Sequence, residues 1–445
     1  MEPDYLPFEP HVLTSAELAS HAFLLNWDPM LTGALEQLEM SMMNRAPEIR
    51  RQASSYNLRE LQAQATTVMN RKCVGAHLLA VGGYNIVYLL TFEDNTDVVA
   101  RLRIPGGGAM GNGIDMTPQD LSARFMSEVA TMRFLKLKTS IPVPELYHSD
   151  ADEFNAVGTA YMIMQRIPGV LLGRLVKQYI TPAGFKTLTT QIARFEAELY
   201  DHPLSAIGCV VDPAGTVGPL VRPCTYGLVP TDRGPFTSSK GFLSACAAHA
   251  LGEVRATKQW TEQRVACSEF NGGADALPAG YAEQWFVLLH DALTSLPEEA
   301  RPAVFRLVHT DFNTGNLLVA SATDPTIVAV LDWEGARVLP AWDARAGCTV
   351  ACLLDAVAGD AAKAGLRQLY LDLTAGPGTG RVLGQSSMCW EGLMGFFESV
   401  PWVTMDKERL GAAFLRWFAN AEKAGDEAEL EPFRRLKNFI TDDFR

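Results

Sequence analysis

The chain has 445 residues, 48% of them hydrophobic, enough to bury a large core split over two or three domains or lobes. Its 38 basic and 51 acidic residues leave a formal charge of -13, and no basic run offers phosphates a footprint, which argues against a nucleic-acid partner. Eight cysteines spread thinly over this length do not make a disulfide scaffold, and reduced thiols in the cytoplasm are expected.

The first stretch, MEPDYLPFEPHVL, has early acids and neither a positive nor an apolar leader segment, so no targeting sequence is expected there. No window reaches 18 uninterrupted apolar residues, so no membrane partner is expected. Residues 1–72 read as a helical extension. Thr14 and Glu17 form a capping box before Leu18–Leu25, an amphipathic stretch runs from Met30 to Met43, and a Gln-rich segment covers 45–72. None of these carries recognisable chemistry.

From Gly75 the pattern changes to strand, tight turn, strand, polar turn, strand: His77–Val81, Gly82-Gly83-Tyr84-Asn85, Ile86–Phe92, the turn 93–97, and Val98–Ile104. Paired glycines let a backbone approach phosphate oxygens, although Gly-Gly is also an ordinary hairpin turn. Arg101 and Arg103 alternate with Ala100 and Leu102, so both arginines point to one face, toward nucleotide phosphates or toward solvent. The segment Gly106–Gly111 satisfies GxGxxG, but more loop follows it instead of a helix, so it reads as a connector and not as a dinucleotide site.

Thr117-Pro118 opens a helix to about residue 138, with Leu121, Phe125, Met132 and Leu135 on one stripe. Glu128 falls on the same stripe. It either finds a cation, with Arg101 or Arg103 as the natural partner, or sits solvated at the stripe's edge. Ile141-Pro142-Val143-Pro144 leads to another strand pair, and Gln165-Arg166-Ile167-Pro168-Gly169 is a composition break where two lobes would meet. Beyond it the pattern is mainly helical (181–201, 240–257, 280–296, 342–358, 361–373, 387–399, 407–423, 429–440), with a Pro- and Gly-rich loop at 204–239. Cys348 and Cys352 share a helical face without a second ligand pair, which favours core packing over zinc.

The most informative stretch is Leu307–Glu334. One apolar run stops at His309-Thr310-Asp311, the turn Asn313-Thr314-Gly315-Asn316 follows, and a third apolar run delivers Asp332. Taken alone, Asn-Thr-Gly-Asn between two apolar runs is good hairpin chemistry. The full pattern HxD(x)4N, then a strand ending in Asp, suits phosphoryl transfer. One carboxylate orients the attacking hydroxyl, and an Asn and an Asp hold Mg2+ against nucleotide phosphates.

These residues resemble the aminoglycoside phosphotransferase family of kinase-like small-molecule kinases, which includes choline and fructosamine kinases. HTDFNTGN and LDWE are the specific anchors; GGYN, ARLRIP, IPVP and MIMQRIPG are weaker ones. The resemblance covers roughly Gly75–Arg345 and is strongest to a fungal-type, functionally unassigned branch. It implies an α+β, bilobal, protein-kinase-like fold: a 73–166 lobe of antiparallel sheet plus helix that binds nucleotide, and a larger, mainly helical 167–445 lobe with an insertion at about 204–300. It also implies ATP and Mg2+ as cofactors. Asp311 then matches the catalytic base and His309 the support of its loop; Asn316 and Asp332 match metal ligands. Gly82, Gly83 and Asn85 match the phosphate loop, Glu128 the helix acid, Gln165 and Arg166 the hinge, and Asp343 a structural brace. Where many members carry a strand lysine this chain has Arg101, with Arg103 as the alternative register, and an Arg fork is not equivalent to a compact ammonium.

The function expected is transfer of the ATP γ-phosphoryl group to a hydroxyl of a small molecule. The alternative is a catalytically silent kinase-like protein that binds nucleotide or serves as a scaffold. Trp-Glu after Asp332, in place of Phe-Gly, argues against a protein kinase. Glu334, Asp343 and Asp355 favour a cationic substrate or merely add solubility. Trp260, Trp285, Trp390, Trp402 and Trp417 line an aromatic pocket or fill the core.

Overall fold

Five strands form one antiparallel sheet in the order β1-β2-β3-β5-β4, where β1 is Cys73–Val81, β2 Asn85–Phe92, β3 Asp97–Arg103, β4 Leu146–Asp150 and β5 Tyr161–Gln165. The computed structural model describes residues 56–81, 84–104, 114–115, 118–177, 179–221, 224–225, 232–266, 279–296, 304–341, 350–374, 407–424 and 430–443. The expected helices before residue 56, the 387–399 helix, the GxGxxG segment, Gly82, Gly83, Asp343, Cys348, Trp390 and Trp402 lie outside these residues.

Alternation along β3 decides what each face of the sheet does. Val98, Ala100 and Leu102 are buried against the outer cover, while Arg101 and Arg103 project to the opposite face. The cover includes helix α1, Leu58–Met69, which buries Leu58, Leu61, Gln62 and Ala65 at helical spacing. The Asn57 side chain accepts from the Glu60 N–H at 3.1 Å, and Asn70 stops the helix in the left-handed conformation at φ 51°. Tyr56 donates its hydroxyl to the Arg103 carbonyl at 3.1 Å, fixing the strand end from behind. Each fully buried leucine contributes about 1.5–3 kcal/mol. Residues 56–69 therefore support the arginine strand structurally.

On the arginine face lies helix α2, Pro118–Lys138. It buries Leu121, Phe125, Glu128, Val129, Met132 and Leu135. The larger lobe carries two small ladders: β7 (Phe305–Val308) pairs with β10 (Arg337–Pro340), and β8 (Leu317–Val319) lies between β9 (Ile327–Val330) and β6 (Val170–Leu171). So the polar turn is not a hairpin: β7 and β8, on its two sides, belong to different sheets. Gly169 approaches β8 so closely that a Cβ would stand 2.9 Å from the Val319 carbonyl oxygen, which is why the lobe connector carries glycine there.

Helices build the rest of that lobe: α3 (Pro182–Asp201), α4 (Ser239–Ala266), α5 (Ala279–Ser295), α6 (Asp360–Thr374), α7 (Lys407–Ala424) and α8 (Arg434–Asp443). Thr181 caps α3 by accepting from the Gly184 N–H at 3.1 Å, α4 packs on α5, and α6 packs on α3. Trp285 is fully buried against Phe286 and Phe414, and Trp417 packs on Phe414, Phe418 and Phe433, so these two tryptophans belong to the core. Sheet plus helix on one side and a mainly helical body on the other make a bilobal α+β fold.

Within 204–239, described residues reach the smaller lobe. Cys224–Thr225 pairs with Ile114–Asp115, Phe236 bridges Ile207, and Arg233 forms an ion pair with Asp120 at the start of α2.

Candidate active site

Strand register puts the two informative loops side by side. Val308 at the end of β7 is paired with Arg337 at the start of β10, and Leu317 at the start of β8 with Val330 at the end of β9. Loops 309–316 and 331–336 must therefore leave adjacent strand ends together. Three hydrogen bonds knit them: Leu331 N–H to the Asn316 carbonyl at 2.8 Å, Thr310 Oγ1 to the Gly335 carbonyl at 3.0 Å, and His309 Nε2 to the Leu331 carbonyl at 2.8 Å.

His309 organises the first loop from inside. Its Nδ1 accepts the Asp311 N–H at 3.2 Å, so the neutral ring carries its proton on Nε2 and donates it to Leu331. The ring is buried against Trp333 and Phe312, and burial holds its pKa below the ordinary histidine value. Asp311 is exposed at the loop surface. Its Oδ1 accepts from Asn313 Nδ2 at 2.9 Å and its Oδ2 from Asn316 Nδ2 at 3.1 Å, so both carboxylate oxygens are oriented by amides. Asn316 Nδ2 also donates to the Asp311 carbonyl at 2.8 Å, which leaves the amide oxygen as the atom of Asn316 available to a cation.

Asp332 sits in the left-handed region at φ 59°, a conformation that a short polar side chain tolerates better than a branched one, at a typical cost of about 1 kcal/mol or more. Gly335 follows at φ 80°. The tight path aims Asp332 and Glu334 at the smaller lobe. Arg101 bridges two carboxylates there: one Nη pairs with Glu128, and the other donates to Asp332 Oδ1 at 3.3 Å. Glu128 is 2% exposed, which excludes the solvated alternative. Burial pushes its carboxyl upward, and Arg101 opposes that shift. Burial also works against the Arg101 charge, but Glu128, Glu334 and Asp332 more than offset it and hold the guanidinium protonated. The Asp332 carboxyl is raised by burial and pulled back by Arg101, yet its side chain stays 43% exposed.

A second cluster adjoins the first. Glu334 Oε1 meets Arg124 Nε at 3.0 Å and Arg103 Nη2 at 3.5 Å, and its Oε2 accepts from Asn85 Nδ2 at 3.1 Å. Arg103 also donates to the Leu121 carbonyl of α2 at 2.7 Å. Burial would raise the Glu334 carboxyl, but Arg124, Arg101, Arg103 and Asn85 outweigh it and hold the pKa below the usual range. This acid, read from sequence as a feature of the substrate side or the surface, is instead bound to the smaller lobe. Arg124 carries no sequence signal beyond its place on the helix.

The fold thus gathers Asn85, Arg101, Glu128, Asp332 and the Asp311 loop, while Gln165 and Arg166, expected at the hinge, bond to backbone and side chain at the sheet's end. Gln165 Oε1 accepts the Glu145 N–H at 3.2 Å, and Arg166 pairs with Asp97 at 3.2 Å. Asp355 is exposed on the helical side.

Hard oxygen donors on Asn316 and Asp332 suit Mg2+, which commonly takes one or two protein ligands and completes its shell with phosphates and water. Among the described residues no group of three or more His, Cys, Asp or Glu side chains could hold a metal by itself, so a cation here depends on such outside oxygens.

The family model for the phosphotransferase enzyme family, APH, matches residues 77–382. Over 312 residues the chain is 26% identical to a subtelomeric hrmA-associated cluster protein of Aspergillus fumigatus, a match that takes in 60% of this chain and 58% of that protein. The chain therefore spans less than two thirds of the length of that curated relative. It is 37% identical over 93 residues to altered inheritance of mitochondria protein 9 of Candida tropicalis, across 21% of this chain and 14% of that one. Among solved structures it is similar to a thermostable mutant of aminoglycoside phosphotransferase APH(4)-Ia, with TM-score 0.39 and 14% identity over 86% of this chain and 99% of that chain.

Proposed function

Because the chain belongs to the phosphotransferase enzyme family, we propose that it transfers the γ-phosphoryl group of ATP to a hydroxyl of a small molecule with the help of Mg2+. The observation that carries this reading is the Asp311 carboxylate, exposed and oriented through both oxygens, on a loop tied to the loop that delivers Asp332. Asp311 accepts a hydrogen bond from the acceptor hydroxyl and aims its oxygen; in a loose transition state that orientation matters more than early proton removal. His309 keeps the loop in shape. Asn316 and Asp332 hold the cation, which neutralises charge on the phosphates. Arg101, held by Glu128, adds fixed positive charge on the nucleotide side. In this assignment residues 73–166 bind nucleotide, residues 167–445 supply catalysis and acceptor binding, and about 204–300 is an insertion in the second unit.

One observation favours the silent alternative: Arg101 already occupies Asp332 Oδ1 and competes with a cation for it. Turnover separates the two. Wild-type protein with Mg–ATP and a hydroxyl-compound panel is expected to release ADP, and Asp311→Asn to lose at least about a hundredfold of that rate, in line with the 10²–10⁴ typical of acid-base groups. Binding of Mg–ATP without any turnover establishes the silent reading, and unchanged turnover in Asp311→Asn removes Asp311 from the mechanism.

A further inference from the structure

We infer that Glu334 is a positioning residue: it latches the Asp332 loop to the start of β2, to the end of β3 and to helix α2, setting the gap into which a nucleotide must fit. This inference rests on the proposed nucleotide reading for its catalytic consequence, though its geometry stands without it. Glu334 is two residues from Asp332 and reaches three elements of the smaller lobe: Asn85 beside the glycine turn, Arg103 at the end of β3, and Arg124 on α2. The partners are 210 to 249 positions away in sequence and the carboxylate side chain is 9% exposed, so these are long-range, largely dry contacts. Removing one partner from a pair this dry costs more than at the surface, because the survivor is left as an uncompensated charge.

The carboxylate divides its labour. Oε2 takes the Asn85 amide, and Oε1 takes both guanidinium groups. Arg103 adds the Leu121 carbonyl of α2, so two strands and a helix meet at one acid. The site pair Arg101 and Glu128 is built on the same strand and the same helix. Releasing Glu334 therefore frees the start of β2 and the Arg101–Asp332 distance together, while the Asp311 loop keeps its own hydrogen bonds. The consequence is specific: nucleotide affinity should fall while the chemical step is largely spared.

The test uses Glu334→Gln, which can keep the Asn85 contact but loses the charge, and Arg124→Gln, at a side chain that is 23% exposed. Mg–ATP dissociation constants, KM for ATP and kcat are measured for the wild type, both single variants and the double variant, with hydrogen exchange of residues 84–104 as a readout independent of turnover. Loss of a charged hydrogen bond predicts about a tenfold rise in KM and in the dissociation constant for Glu334→Gln, kcat within about threefold, and a double variant no worse than the poorer single one. Exchange in 84–104 should accelerate in both single variants. Unchanged exchange and unchanged affinity would overturn the latch. So would a collapse of kcat that extra Mg2+ restores, which would make Glu334 a metal ligand. If wild-type protein binds no Mg–ATP, the nucleotide reading falls and the exchange data alone decide whether the latch exists.

Discussion

Replacing Arg101 by Met keeps a linear aliphatic stem of similar reach but leaves Glu128 in the core without its cation. Glu128 is 2% exposed, and burial already pushes its carboxyl above the ordinary 4.5. Removing one partner of a buried pair typically costs about 3–5 kcal/mol because the survivor is an uncompensated charge. The survivor here can neutralise itself. In the variant, Arg101 no longer opposes burial, while Glu334 and Asp332 push the carboxyl further in the same direction. A carboxyl raised in the folded state contributes stability that is fully present below its unfolded value near 4.5 and is lost as pH climbs through the folded value. Arg101→Met should therefore be destabilised by about 1 kcal/mol at pH 4.5, a packing and hydrogen-bond difference, and by about 3 kcal/mol or more at pH 8. Urea unfolding followed by tryptophan fluorescence reads both values, and Arg101→Met/Glu128→Gln should recover most of the loss at pH 8. Equal destabilisation at the two pH values, or no recovery in the double variant, would refute the reasoning.

Other expectations follow from the same geometry. Arg101→Lys keeps the charge but cannot bridge Glu128 and Asp332 with two nitrogens, so ATP turnover should fall by about tenfold or more while stability at pH 7 falls less than in Arg101→Met. His309 has a depressed folded pKa, so its contribution is present above the unfolded value of 6.5 and is lost as pH falls through the folded value; His309→Gln should remove that part of the acid sensitivity of the urea midpoint below pH 6.5. Glu196→Gln strands Arg306, which is 1% exposed, bonded to Glu196 at 2.7 Å and stacked 4.3 Å from the Tyr200 ring, and should cost about 3–5 kcal/mol in urea unfolding.

Much of this site was legible because its signals are local. HTDFNTGN and LDWE lie within 28 consecutive residues, and the alternation of β3 with the stripe of α2 offers Arg101 or Arg103 to Glu128, a choice the fold makes in favour of Arg101. What the sequence does not carry is the crossing of long-range partners. Glu334 looks like any acid after a strand until the fold brings Asn85, Arg103 and Arg124 to it. Arg306 hides inside the apolar run Phe305–Val308, where nothing announces that Glu196, on the buried face of α3, will meet it. Helix α4 runs on to Ala266 because Lys258, Gln259 and Gln263 are good helix formers, although the apolar period that locates a helix fades before them. The hairpin alternative for 313–316 failed for a related reason: turn chemistry fixes a bend, whereas the pairing of β7 with β10 depends on strands found only in the tertiary fold.

The central claim is that Asp311 directs a phosphoryl group onto a small-molecule hydroxyl. Wild-type protein and Asp311→Asn, incubated with Mg2+, γ-labelled ATP and a broad panel of hydroxyl compounds, should differ in one readout: a labelled product heavier than its parent by one phosphoryl group, formed by the wild type and reduced at least about a hundredfold in the variant. Equal labelling by both proteins, or label recovered only in ATP when Mg–ATP binding is intact, would contradict the account.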